Sequence, residues 1–94
     1  MTALPTTTVD PVLESLRARV TEIDREILDA VNRRLELVAE LKRYKVEHGI
    51  AFVDPDRERS MVDTRVEENE GPLSDEGLRA FYVELLALTK RELD

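Results

Sequence analysis

Six charged residues carry most of the chemistry this sequence offers: Arg17, Arg34 and Lys45, then Asp54, Arg57 and Glu58. Arg34 is the most informative, because it stands where an apolar residue belongs. Leu13, Leu16, Val20, Ile23, Ile27 and Ala30, then Leu37, Leu41 and Tyr44, recur in alternating steps of three and four. That is the period of one helix face, and the series passes through Arg34. A second stripe (Leu28, Val31, Leu35, Val38) runs into Lys42 and Lys45. Cations on an otherwise apolar face point to an anion site. Arg34 and Lys45 return to nearly the same azimuth at about 100° per residue and lie about 16 Å apart along the axis, which leaves room for a small anion between them.

Arg17 is roughly 25 Å from Arg34 along the same helix, too far to serve that site within its own chain. Antiparallel pairing of two such helices about a midpoint near residue 29 would change this. Arg17 of one chain would then lie opposite position 41 of the other, between Arg34 and Lys45. Solvation of Arg17, with Arg34 snorkelling out of the stripe, fits the spacing at least as well. Asp54, Arg57 and Glu58 sit in or beside the first turn of a second helix, whose free amides suit a carboxylate or hydroxyl oxygen. An ordinary cap with Arg57 and Glu58 solvated is the competing account, and it loses ground once the cationic cluster is set beside it.

Composition removes several other chemistries. The chain has 94 residues, enough for one small domain, and is 41% hydrophobic and 37% charged. It has no cysteine, hence no disulfide, thiolate nucleophile or cysteine metal site. The single histidine, His48, has too few partners for a triad or a zinc site and reads as a solvated residue near a helix end. A net charge of −7 argues against nucleic acid and weakens any membrane-surface role. There is no signal-peptide pattern and no apolar run of about 18 residues. The expectation is a soluble cytoplasmic protein.

The elements that must position these residues follow from local signals. Residues 1–9 read as a disordered leader, and residues 10–94 as one domain. Asp10-Pro11 starts a helix that runs to His48 and stops at Gly49. As a helix, residues 10–48 span about 58 Å, whereas a globule of this size is on the order of 35 Å across. A second copy of the chain is the simplest cover for the excess, which predicts an obligate homodimer. Asp54-Pro55 starts a second helix, from about Asp56 to Asn69, and Gly71-Pro72 follows it. Ser74 caps a third, with Leu78, Phe81, Tyr82, Leu85, Leu86 and Leu88 on its apolar face. The fold class is all-α: three helices, long, short and medium, with no strand.

Taken together, Leu16-Arg17, Ile23-Asp24, Arg33-Arg34, Lys45 and Asp54-Pro55-Asp56-Arg57-Glu58 resemble the all-helical chorismate mutase family. The match runs without a gap from Leu13 to Arg59 and more loosely through the third helix. The resemblance implies an intertwined homodimeric helical bundle and a Claisen rearrangement of chorismate to prephenate, in the branch toward phenylalanine and tyrosine, with no metal and no cofactor. Arg17 of the partner chain, Arg34 and Lys45 would hold the two substrate carboxylates, and Lys45 would also donate to the ether oxygen. Arg57 would support the carboxylate side, while the Asp54 backbone and the Glu58 carboxylate would hold the ring hydroxyl. A pericyclic step needs no nucleophile or general base, only a folded substrate and positive charge beside the ether oxygen.

The third helix departs from the family pattern of a substrate-binding small hydroxyl residue followed four positions later by Gln or Glu, the second donor to the ether oxygen. Thr89 fits the first, but Leu93 takes the second place and Glu92 falls one short. A Glu92 that reached the site would have to be protonated to donate, so activity would rise at mildly acidic pH. The chain also resembles small actinobacterial mutases activated by 3-deoxy-7-phosphoheptulonate synthase. It differs from them in the loop and tail, which predicts activity without that partner. Isochorismate-pyruvate lyase and aminodeoxychorismate mutase are rivals on the same fold, and a helical dimerisation module without catalysis is the rival from another class.

Overall fold

A computed structural model describes residues 10–94, so the leader expected at residues 1–9 lies outside the described residues. The chain forms α1 (Pro11–Glu47), α2 (Pro55–Glu68) and α3 (Asp75–Glu92), with no strand among the described residues. It divides into two units at Arg33 and Arg34, within α1.

The described residues of the first unit are the start of α1, with nearly all its side chains exposed. The Asp10 carboxylate accepts from the amides of Val12 (2.9 Å) and Leu13 (3.1 Å), two of the donors that a helix start leaves free. Pro11 has no N–H to satisfy. Leu13, Leu16, Val20, Ile23 and Ile27 are all exposed, Val20 by 59% and Ile23 by 53%. Such an unbroken apolar stripe is expensive to leave in water, on the order of 1.5–3 kcal/mol for each large side chain that could be buried.

The second unit is built from the end of α1 with α2 and α3. The α1 helix closes in a Schellman arrangement. Ile50 N donates to Lys45 O at 2.8 Å and Gly49 N to Val46 O at 3.3 Å, with Gly49 at φ +66°. His48 stacks on Tyr44 with ring centroids 4.0 Å apart and is exposed, a helix-end residue as its sequence context suggests. Asp54 caps α2 by accepting from Arg57 N at 3.1 Å, and Pro55 takes the first helical position. Ser74 caps α3 by accepting from Gly77 N at 3.0 Å. The observed α2 begins and ends a residue earlier than the sequence suggests, because Pro55 is itself helical and Asn69 leaves the helix. Asn69 turns the chain toward α3 by donating from Nδ2 to Leu73 O at 2.7 Å.

Two ion pairs tie α2 to α3: Asp63–Arg79 at 2.9 Å and Glu58–Lys90 at 3.0 Å. Only Leu78 (6% exposed) and Thr89 (4%) are buried among the described residues. Thr89 is therefore a hydroxyl in the most enclosed part of the unit, where every hydrogen bond matters.

Candidate active site

A cleft of about 350 Å³ opens in the second unit. Its apolar wall is Val38, Leu41, Phe52, Val53, Met61 and Leu86. Its charged lining is Arg34, Lys45, Arg57, Arg65 and Lys90 against Asp54 and Glu58. Five cations face two carboxylates, in a chain whose net charge is −7. The local field of the cleft thus opposes that of the whole protein, and its low-dielectric apolar wall focuses it.

Arg34 and Lys45, both on α1, are held by partners on other elements. Arg34 Nη1 donates to Thr89 Oγ1 at 2.6 Å, and that hydroxyl donates its proton to Leu85 O at 2.7 Å. With its proton fixed on the α3 carbonyl, Thr89 can only accept from the guanidinium. Arg34 is thereby aimed by a buried hydroxyl and does not snorkel to solvent. Lys45 Nζ donates to Phe52 O at 3.3 Å, which ties the last turn of α1 to the loop before α2. Lys42, also flagged by the apolar periodicity, does not line the cleft. It donates to Leu93 O at 2.5 Å and sits 5.3 Å from the Phe52 ring centroid, fastening the end of α3.

The two carboxylates differ. Asp54 is occupied as the α2 cap. Glu58, one turn into α2, keeps its acceptor capacity but meets Lys90 Nζ at 3.0 Å from Oε1 and 3.4 Å from Oε2. Arg65 is turned toward Glu68, with Nε 3.2 Å from its carboxylate.

Of the residues singled out from sequence, Arg34, Lys45, Asp54, Arg57, Glu58 and Thr89 all line this one cleft. Arg17 belongs to the first unit, where it is exposed and 3.9 Å from Glu14. Glu92 is exposed and is not in the cleft lining, contrary to what a donor role would require. The reason is angular. Taking Thr89 as zero, Leu86 lies at about +60° and Lys90 at about +100°, both on the cleft side, whereas Glu92 lies at about −60°, off it. Leu93 has a suitable azimuth, but it is apolar and is the α3 C-cap.

Arg65 and Lys90 were not legible as site residues. Lys90 follows the candidate Thr89 directly, but its relevance depends on Glu58, 32 positions away on another helix. No periodicity announces that pair.

Comparison with known proteins places this geometry in context. The family model described as chorismate mutase type II matches residues 16–92. Chorismate mutase from Thermus thermophilus, in its form I structure, superposes with a TM-score of 0.79 at 35% identity, covering 82% of this chain and 96% of that one. Its form II structure gives 0.81 at 34% identity, covering 84% and 90%. The T-protein of Enterobacter agglomerans is 40% identical over 58 residues, which are 62% of this chain and 16% of that protein. A 4-amino-4-deoxychorismate mutase of Streptomyces venezuelae is 40% identical over 45 residues, 48% of this chain and 44% of that protein. The matched stretches span 16% and 44% of these two curated relatives, less than half the length of either.

Proposed function

The chain belongs to the chorismate mutase type II family, and from that premise we propose that it rearranges chorismate to prephenate as a cytoplasmic enzyme of aromatic amino acid biosynthesis. One observation carries the reading: Arg34, Lys45 and Arg57 converge with Glu58 in a single apolar-walled cleft. The reaction breaks the ether C–O bond and forms a C–C bond from the enolpyruvyl group to the ring in one cyclic movement of electrons. No proton need be transferred. The protein's tasks are to fold a dianion into reacting geometry and to stabilise negative charge developing on the ether oxygen.

The residues suit those tasks. Arg34, anchored by Thr89, presents a fixed guanidinium for one carboxylate, and Arg57 adds charge at the start of α2. Lys45, whose bond to Phe52 O is long at 3.3 Å, offers its ammonium to the ether oxygen and second carboxylate. Glu58 accepts from the ring hydroxyl. Thr89 acts here as the residue that aims Arg34. A rate gain of about 10⁶-fold requires about 8 kcal/mol, within reach of such positioning and fixed charge.

The working form in this proposal is an intertwined homodimer that forms one domain of residues 10–94 per chain. The exposed stripe from Leu13 to Ile27 supplies the pairing face, and Arg17 of the partner subunit completes the cationic cluster. The enzyme works without 3-deoxy-7-phosphoheptulonate synthase. The 4-amino-4-deoxychorismate mutase relative supports a second reading in which the substrate carries an amine in place of the hydroxyl.

The test is a direct assay of purified protein. Loss of chorismate with stoichiometric prephenate supports the proposal. Salicylate and pyruvate from isochorismate would move the chain to the lyase class, and inertness toward every such substrate would leave only a dimerisation module.

A further inference from the structure

The pair formed by Glu58 and Lys90 has a consequence for which substrate the cleft accepts. Of the two cleft carboxylates, Asp54 gives Oδ1 to the α2 cap, whereas Glu58 serves no cap, and the mutase reading places the ring substituent on Glu58. That acceptor is shared. Lys90 Nζ lies 3.0 Å from Oε1 and 3.4 Å from Oε2; Glu58 is half-buried, with 27% of its side chain exposed, and Lys90 covers it from the exposed side. We infer that Lys90, through Glu58, is a specificity-determining residue that makes this end of the cleft select a neutral hydroxyl on the substrate ring and reject an ammonium. The inference rests on the mutase reading above and says which ring substituent that site takes.

The physical argument is one of charge count. A carboxylate has about four lone-pair sites, so Glu58 can hold Lys90 and still accept from a hydroxyl without a change in local charge. An ammonium in the hydroxyl's place would put a second cation within a few ångströms of Lys90, with one carboxylate between two positive groups. Arg57 and Lys45 line the same cleft and add to the repulsion. Like charges forced together at a partly desolvated site strongly disfavour binding, and this is how sites commonly exclude a near-isostere. Without Lys90, the same carboxylate would be a lone anion, well suited to an ammonium.

The experiment compares kcat/KM for chorismate and for 4-amino-4-deoxychorismate in the wild-type protein, Lys90→Met and Lys90→Arg. Each ratio is taken within one protein preparation, so a partly unfolded fraction cancels. The wild-type protein prefers the hydroxyl substrate. In Lys90→Met the preference falls by at least about tenfold, chiefly through a gain on the amine, and Lys90→Arg restores it. A wild-type preference for the amine, or a ratio in Lys90→Met within about twofold of wild type, overturns the assignment while leaving the mutase reading standing. Inertness of the wild-type protein toward both substrates would instead remove the mutase reading, and this inference with it.

Discussion

Arg34 of α1 donates to the Thr89 hydroxyl of α3 at 2.6 Å, and that hydroxyl's own proton is committed to Leu85 O at 2.7 Å. A buried side chain is thus polarised so that it can only accept from the guanidinium. Thr89→Val keeps the shape and removes the acceptor. A hydrogen bond to a charged group is worth about 1.5–3 kcal/mol, so kcat/KM should fall by about tenfold to a hundredfold. Thr89→Ser should retain most of the activity. Steady-state kinetics beside thermal unfolding check this: a loss that follows unfolding rather than kcat/KM would mean that Thr89 serves packing alone.

Arg34 interrupts an apolar stripe, and its replacement separates an enzyme from a scaffold. Arg34→Leu completes the stripe, so thermal stability should hold or rise, while kcat/KM should drop by about a thousandfold or more. A variant that is more stable and equally active would end the catalytic reading of this residue.

Glu92 is exposed on the last turn of α3 and outside the cleft lining. The acidic gain in activity expected of a protonated Glu92 therefore has no structural support. The pH–rate profile of Glu92→Gln should superimpose on that of the wild-type protein. A lost acidic limb in the variant would return Glu92 to the site.

Gly49 adopts φ +66° at the end of α1, and a Cβ built there meets nothing within 4 Å. The cost of Gly49→Ala is therefore conformational, about 1 kcal/mol, equivalent to a midpoint lowered by about 5 °C in a domain of this size. Thermal melts at matched protein concentration measure it, since association shifts the midpoint too. An unchanged midpoint would show that the loop finds another closure.

What could be read from sequence follows the range of the forces involved. Asp10-Pro11, Asp54-Pro55, Ser74 and Gly49 act within one turn, so the starts of all three helices and the ends of the first two were legible within a residue or so. Arg34 was conspicuous because it breaks a period that neighbours on the same helix define. Lys90 and Arg65 were not, since nothing local distinguishes a cleft-lining cation from a solvated one. The role of Thr89 as the anchor of Arg34 spans 55 positions of sequence. Which face of α3 meets the cleft, and so the place of Glu92, was not legible, because counting along a helix gives spacing but no zero of azimuth. That zero is set when α3 turns Thr89 inward.

The exposed stripe of α1 and the place of Arg17 beside it can be tested without any structure of an assembly. If each site combines Arg34 of one chain with Arg17 of the partner subunit, then Arg17→Ala and Arg34→Leu proteins are each nearly inactive. Mixed and allowed to exchange, they regain activity. A mixed dimer has one intact site, with Arg34 from the first variant and Arg17 from the second, and one site lacking both. Random pairing makes about half of all dimers mixed, so specific activity should recover to about a quarter of wild type. Sites built within a single chain would give no recovery at any mixing ratio. Ile23→Lys, which puts a charge on the stripe, should yield monomers in sedimentation and abolish recovery, because Arg17 can then no longer be delivered across the pair.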